Sequence, residues 1–290
     1  MDEKHYIVGI GEILWDMFPT GKRLGGAPAN FAYHAAQAGL DGIAVSAVGN
    51  DALGQEAEAA LAAKRLATHL EHVPFPTGTV RVSLDDAGTA TYEFAPDAAW
   101  DNLEYTPALD AIARAARAVC FGTLAQRAAK SRATVRRFVE AVDGMRVFDI
   151  NLRGNFYDRD TIEESLQICN ILKINDDEIR IIARMFDLPD SEPDICCRKL
   201  ISHFGLDMVV LTCGADGSHV FTRQGATSHL PTPRVKVADT VGAGDSFTAA
   251  FVSALVKGED LDTAHRKATE VAAYVCSCEG AMPPYDCRKT

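Results

Sequence analysis

Short apolar runs alternate with helical patterns along most of this chain. Strand-like runs fall at Tyr6–Ile10 and Ile43–Val48, each followed by a helix pattern, one after Asn30 and one through Leu53–Leu66. The alternation resumes at Ala118–Phe121, Arg146–Asp149, Ile171–Ile174, Met208–Thr212 and His219–Thr222. Strands alternating with helices predict an α/β fold, a mostly parallel sheet with helices on both faces. Ligands of such sheets sit beyond the carboxyl ends of the strands. One interval breaks the rhythm. Thr79–Leu84 and Thr89–Phe94 are period-two runs around Asp85-Asp86-Ala87-Gly88, which reads as a hairpin.

The densest chemistry lies in Asp239-Thr240-Val241-Gly242-Ala243-Gly244-Asp245-Ser246-Phe247. Upstream, Val235 and Val237 alternate with Arg234, Lys236 and Ala238, the pattern of a half-buried strand. Downstream, Phe247, Phe251 and Leu255 recur every fourth residue on one helix face. Gly242 and Gly244 let backbone amides approach a ligand, and the helix start offers unpaired N–H donors at a positive dipole end, a phosphate site. A carboxylate at Asp245 would be repelled by bound phosphate unless it has a task, although aspartate also serves simply as a helix cap. The chain lacks the Gly-x-x-x-x-Gly-Lys-Ser/Thr pattern of a P-loop.

This stretch resembles the C-terminal signature of the PfkB, or ribokinase-like, family of carbohydrate kinases. The resemblance implies that Asp245 is the catalytic base and that the Gly242-Ala243-Gly244 backbone holds the developing phosphate charge, as phosphoryl transfer requires. Near the other end, Gly25-Gly26-Ala27-Pro28-Ala29-Asn30 leads into a helix from Phe31 that Gly39 stops, and it resembles the family's sugar-binding Gly-Gly-x-x-x-Asn. Asp16 falls where the family has a carboxylate for sugar hydroxyls. Phe148-Asp149-Ile150-Asn151-Leu152-Arg153 resembles the Phe-Asp-x-Asn-Leu-Arg of bacterial fructokinases, which implies Asn151 in the substrate cleft and Arg153 facing anionic oxygen.

The same resemblance implies a nucleotide site. Asn175-Asp176-Asp177-Glu178 matches the family's Asn-x-x-Glu, with Asn175 near the phosphates and Glu178 organising water around Mg²⁺. On the residues alone this segment reads equally as the acidic cap of a helix. Thr212, Gly214 and Gly217 fall in a turn that flanks the nucleotide, joined by Thr240, Gly242 and Gly244. Ala272–Cys276 and Gly280–Pro283 resemble the adenine-side helix and closing loop. Asp239, Val241 and the loop after Cys276 fall where some members bind a monovalent cation, so K⁺ joins ATP and Mg²⁺ among the expected ligands. The hairpin, with the strands around Glu12–Leu24, is expected to form a small β-sheet lid from about 12–24 and 75–100 on a single domain over 1–290. Such lids often pair between subunits, which makes a homodimer the expected assembly.

Composition narrows the partners. The chain has 290 residues, 47% hydrophobic and 24% charged, and a net charge of −11, which argues against nucleic acid and anionic membranes. The acidic start Met1–His5 precedes only a short apolar run, which reads as a first strand and not a signal peptide, and no run approaches a membrane span. A cytoplasmic location is expected. The eight cysteines lie mostly in apolar segments and suggest neither disulfides nor a metal site, Cys276-Ser277-Cys278 included. His34 is expected to pack and not to catalyse. The expectation is therefore an ATP-dependent sugar kinase, first of all a fructokinase. Kinases of 2-keto-3-deoxygluconate, ribose or a nucleoside are the alternatives, and a sugar-binding protein without catalysis is the rival from another class.

Overall fold

In the computed structural model, residues 6–84, 90–189 and 192–285 are described. In chain order the elements are β1 (Tyr6–Ile10), β2 (Leu14–Phe18), β3 (Gly21–Gly25), α1 (Ala27–Gln37), β4 (Asp41–Gly49), α2 (Ala52–Ala63), β5 (Ala67–Val73), β6 (Gly78–Leu84) and β7 (Ala90–Phe94). There follow α3 (Pro107–Ala115), β8 (Ala116–Phe121), α4 (Ala129–Ala141), β9 (Met145–Asp149), α5 (Arg159–Ile168), β10 (Ile171–Asn175), α6 (Asp176–Met185) and α7 (Pro193–Phe204). The chain closes with β11 (Met208–Thr212), β12 (Ser218–Thr222), β13 (Thr227–Leu230), α8 (Ala243–Val256) and α9 (Leu261–Cys276).

Among the described residues the large sheet has nine strands, ordered β13-β12-β11-β10-β9-β8-β1-β4-β5. From β5 to β11 every pairing is parallel, and β12 and β13 extend the edge antiparallel. Parallel strands are covered on both faces, so their apolar runs are divided by period two between two helical layers. Val8, Ile10, Val119, Phe121, Phe148, Leu172, Ile174, Val209 and Leu211 pack with residues of α3 to α7. Ile7, Ala118, Cys120, Val147, Ile171 and Val210 pack with α1, α8 and α9. The same alternation sends Asp149 and Lys173, next to Phe148 and Leu172, toward the α8 layer.

A second sheet, ordered β3-β2-β6-β7, joins two antiparallel pairs, β2/β3 and β6/β7, through a parallel β2/β6 pairing. The turn expected at Asp85–Gly88 lies outside the described residues. Two anchors hold this sheet to the body. Trp15 packs with Tyr33, Val48 and Leu61 and donates its indole N–H to the Leu53 carbonyl at 2.9 Å. Behind β7, Arg127 clamps Asp101 with two bonds of 2.8 and 2.6 Å, reaches the Ala95 carbonyl at 2.6 Å, and lies 4.1 Å over the Trp100 ring.

Two local expectations are corrected. The strand expected at Arg234–Ala238 is extended chain outside either sheet, because neither face of it meets a core: Val235 and Val237 are 38% and 60% exposed. The helix expected after Asn30 begins at Ala27, with Pro28 in its first turn, where proline loses nothing because that amide has no intrahelical partner. The thiols of Cys120, Cys169, Cys196 and Cys197 are buried, as expected, and Cys287 lies outside the described residues.

The Arg127–Asp101 pair is buried, with side chains 10% and 5% exposed, so removing one partner strands a charge. Asp101→Ala is expected to destabilise the protein by about 3–5 kcal/mol in denaturant unfolding. A loss under about 1 kcal/mol would show that the clamp is not what holds the small sheet.

Candidate active site

Two helix N-termini converge on one carboxylate. At the first, Gly26 caps α1 at φ 129, and a Cβ there would lie 2.5 Å from the Glu12 carbonyl, so the turn seats α1 against the chain leaving β1. Asn30, one turn into α1, is buried. At the second, Gly242 caps α8 at φ 79, and a Cβ would fall 2.6 Å from Ala281. This turn is closed by the Ala243 amide on the Thr240 carbonyl at 3.3 Å and the Val241 amide on Asp239 Oδ1 at 3.0 Å. Asp245 thus stands in the first turn of α8, among amides that have no intrahelical acceptor. Asn30 Nδ2 donates to Asp245 Oδ2 at 2.7 Å.

Asp245 and Asn151 line one cavity together with Glu12, Asp149, Phe31 and Cys120, at the carboxyl ends of β1, β8 and β9. Asn151 adopts φ 41, an uncommon value for a residue with a side chain. Beneath the cavity Lys173 Nζ is 3.2 Å from Asp149 Oδ1, and it would lie 3.0 Å from a Cβ on Gly244. Thr248 Oγ1 is 3.2 Å from Asp149 Oδ2 and 2.9 Å from the Gly244 carbonyl. The glycine turn therefore has a buried ammonium directly behind it. Burial alone would depress that ammonium, but Asp149, Glu178 and Asp245 outweigh it and hold its pKa above the ordinary value.

Acidic groups dominate the cavity. Burial, reinforced by Asp149, pushes Asp245 up to about 6 against the pull of the Asn30 hydrogen bond, Lys173 and Arg153. Burial pushes Glu12 up to about 7, with Asp245 adding to the shift. A carboxylate of pKa about 6 is ionised at neutral pH yet more basic than an ordinary aspartate, which suits a general base.

The remaining expected residues take these places. Asp16 lies on β2 opposite Arg23, with Oδ2 2.8 Å from where a Cβ on Gly25 would stand. Burial raises its pKa while Arg153 and Arg23 oppose that. Arg153 is exposed and donates to the Leu152 carbonyl at 3.2 Å. Asn175 caps α6, accepting from the Asp177 and Glu178 amides at 3.0 and 2.8 Å. Glu178 closes the box through Oε2, which accepts from the Asn175 amide at 3.0 Å, and Oε1 accepts from the Leu152 amide at 2.9 Å. Thr212 ends β11, Gly214 and Gly217 lie in the turn that follows, with Gly217 close against Leu230, and all three are outside the lining of the Asp245 cavity. Asp239 braces its loop, with Oδ2 accepting from the Gly280 amide at 3.2 Å and from Arg23 Nη1 at 3.4 Å. His34 is fully buried and donates from Nε2 to the Ala281 carbonyl at 2.8 Å, a packed residue as expected. Glu12 and Lys173 were not singled out from the sequence. Their signals were an acid placed directly after β1 and a lone lysine within Ile171–Ile174.

The profile of the pfkB family carbohydrate kinases matches residues 11–287 of this chain. The chain is 28% identical over 307 residues to the ATP-dependent 6-phosphofructokinase of Thermoanaerobacterium thermosaccharolyticum, covering 97% of this chain and 91% of that protein. It is 28% identical over 261 residues to a fructokinase of Klebsiella pneumoniae, covering 85% and 83%. Among solved structures, the fructokinase with bound ATP from Xylella fastidiosa superposes with a TM-score of 0.84 over 96% of this chain and 94% of that one, at 22% identity, a likeness of fold.

Because the folded protein holds the Asp245 proton more tightly than an unfolded chain does, its ionisation costs stability as pH rises from about 4 to about 6. Asp245→Asn escapes that cost. Relative to the wild type, the variant is expected to gain about 2 kcal/mol in unfolding free energy across this window. A difference that stays constant with pH would contradict the raised pKa.

Proposed function

The chain belongs to the pfkB family of carbohydrate kinases and is a sugar kinase of ribokinase-like fold, and we propose that it transfers the γ-phosphoryl group of ATP to a hydroxyl of fructose. The observation that carries this reading is the 2.7 Å bond from Asn30 to Asp245, which joins the sugar-side helix to the phosphate-side helix at one basic carboxylate. The sugar hydroxyl lies against Asp245, its oxygen attacks the γ-phosphorus, the bond to the β-phosphate oxygen breaks, and Asp245 takes the hydroxyl proton. The amides after Gly242 and the Lys173 ammonium face the charge on the transferring group. Asp16, Gly25, Gly26, Asn151 and Arg153 hold the sugar. Asn175, Thr212, Gly214, Gly217 and Thr240 flank the nucleotide.

Fructose as acceptor is supported by the Phe148–Arg153 motif and by the Klebsiella pneumoniae relative. A second reading has one observation in its favour. The Arg153 guanidinium bonds a carbonyl of its own chain and acts on Asp16, Glu12 and Asp245 together, as a ligand for a phosphate already on the sugar would. The relation to a 6-phosphofructokinase points the same way.

Among the described residues no three acidic, histidine or cysteine side chains form a cage for a metal. That fits Mg²⁺, which keeps several waters and leans on the nucleotide phosphates. Backbone amides already occupy one position on each Glu178 oxygen, so Glu178 fits Mg²⁺ held through water. Mg²⁺ would neutralise phosphate charge in this acidic cavity. Arg23 Nη1 stands 3.4 Å from Asp239 Oδ2, and the reading keeps Asp239 as a candidate ligand of K⁺. It also includes the small sheet as a lid that excludes water, pairing with a second copy through its outer strands, and a cytoplasmic site of action. Among the described residues no helix is long and apolar enough to cross a membrane.

Turnover of ATP with a panel of fructose, fructose 6-phosphate, 2-keto-3-deoxygluconate, ribose and nucleosides tests the acceptor. Fructose is expected to be phosphorylated fastest, and turnover only with another acceptor contradicts that assignment. Asp245→Asn is expected to keep nucleotide binding while kcat falls by ~10²–10⁴. A near-normal kcat in that variant would place the base elsewhere.

A further inference from the structure

Glu12 follows β1 at its carboxyl end and is 4% exposed, yet its Oε2 has no hydrogen-bond partner among the described residues. Two backbone amides, its own and that of Ala27, the first residue of α1, act on the carboxyl. Glu12 lines the same cavity as Asp245 and Asn151. A buried oxygen left unpaired is an expensive arrangement, and at the wall of a binding cavity it calls for a ligand that supplies the missing bond.

Resting on the sugar-kinase reading, we propose that Glu12 is a second carboxyl ligand of the acceptor sugar. Its free Oε2 binds a hydroxyl other than the one Asp245 deprotonates, and so fixes which hydroxyl faces the phosphoryl group. The charged groups acting on Glu12 are Asp245 from α8 and Arg153 from the loop after β9. Burial keeps its pKa near neutrality, where a carboxyl both accepts and donates, and a sugar hydroxyl does the same. Ala27 and Asp245 bracket Glu12 from the two helix ends, so a hydroxyl bound there has a fixed offset from the base. A brace for the Gly25-Gly26-Ala27 turn would explain the Ala27 amide beside the carboxyl but not the unpartnered Oε2.

The test compares wild type, Glu12→Ala and Glu12→Gln with the best acceptor of the panel and its monodeoxy analogues. Glu12→Ala is expected to raise the sugar KM about 10–100-fold, the range of a hydrogen bond to a charged group, with the ATP KM unchanged. One monodeoxy analogue should be poorly used by the wild type yet used by Glu12→Ala as well as the parent sugar, because that hydroxyl has lost its partner. Glu12→Gln, which keeps an oxygen in place, is expected to lie between them, and it decides by the same pattern if the alanine variant does not fold. Equal penalties for every deoxy analogue in variant and wild type, a sugar KM within about twofold of normal, or an ATP KM that rises in step would overturn the proposal. If the wild type phosphorylates no sugar at all, the sugar-kinase reading fails first and takes this inference with it. An active wild type with unaffected Glu12 variants sinks the inference alone.

Discussion

The bond from Asn30 to Asp245 constrains both ends of the chain at once. Its partners are 215 residues apart, and each stands in the first turns of a helix whose start is set by a glycine that no larger residue could replace without moving its neighbours. α1 and α8 pack side by side on one face of the sheet, so their N-termini can only meet where β1, β8 and β9 end. The geometry that seats a base beside a phosphate-binding turn is thus a product of sheet order and helix packing, more than of the loop that carries the motif.

Charge is the second constraint. Glu12, Asp149 and Asp245 share a cavity whose nearest cations are Lys173 and Arg153. The raised pKa values follow from burial first, with Asp245 adding to the shift of Glu12 and Asp149 to that of Asp245, which makes the cavity a poor host for a polyphosphate on its own. Helix N-termini, the Lys173 ammonium and a metal brought by the nucleotide would have to supply the positive field. An acidic protein of net charge −11 can bind ATP only through such a focused arrangement.

Much of this was legible in the chain itself. The Gly242–Asp245 turn, the Gly25–Asn30 turn and the alternation of strands and helices are local patterns, and local patterns read directly. Lys173 and Glu12 were not legible as site residues, because their roles arise from which strand face meets α8 and which loop meets Ala27, both consequences of packing. Val235 and Val237 misled for a related reason: period two marks a strand only when one face meets a core, and that stretch of chain meets none. The start of α1 at Ala27 was hidden by Pro28, which reads as a breaker in isolation and sits well in a first turn. Asn175 and Glu178 illustrate an ambiguity the structure keeps, since the side chains that cap α6 are also those expected beside the nucleotide.

A crystal structure with fructose and a non-hydrolysable ATP analogue would measure the central distance directly. The account predicts one sugar hydroxyl within about 2.6–3.2 Å of the Asp245 carboxylate and in line with the γ-phosphorus. A sugar whose hydroxyls all lie out of hydrogen-bond reach of Asp245, with another base in contact with the attacking oxygen, would contradict it.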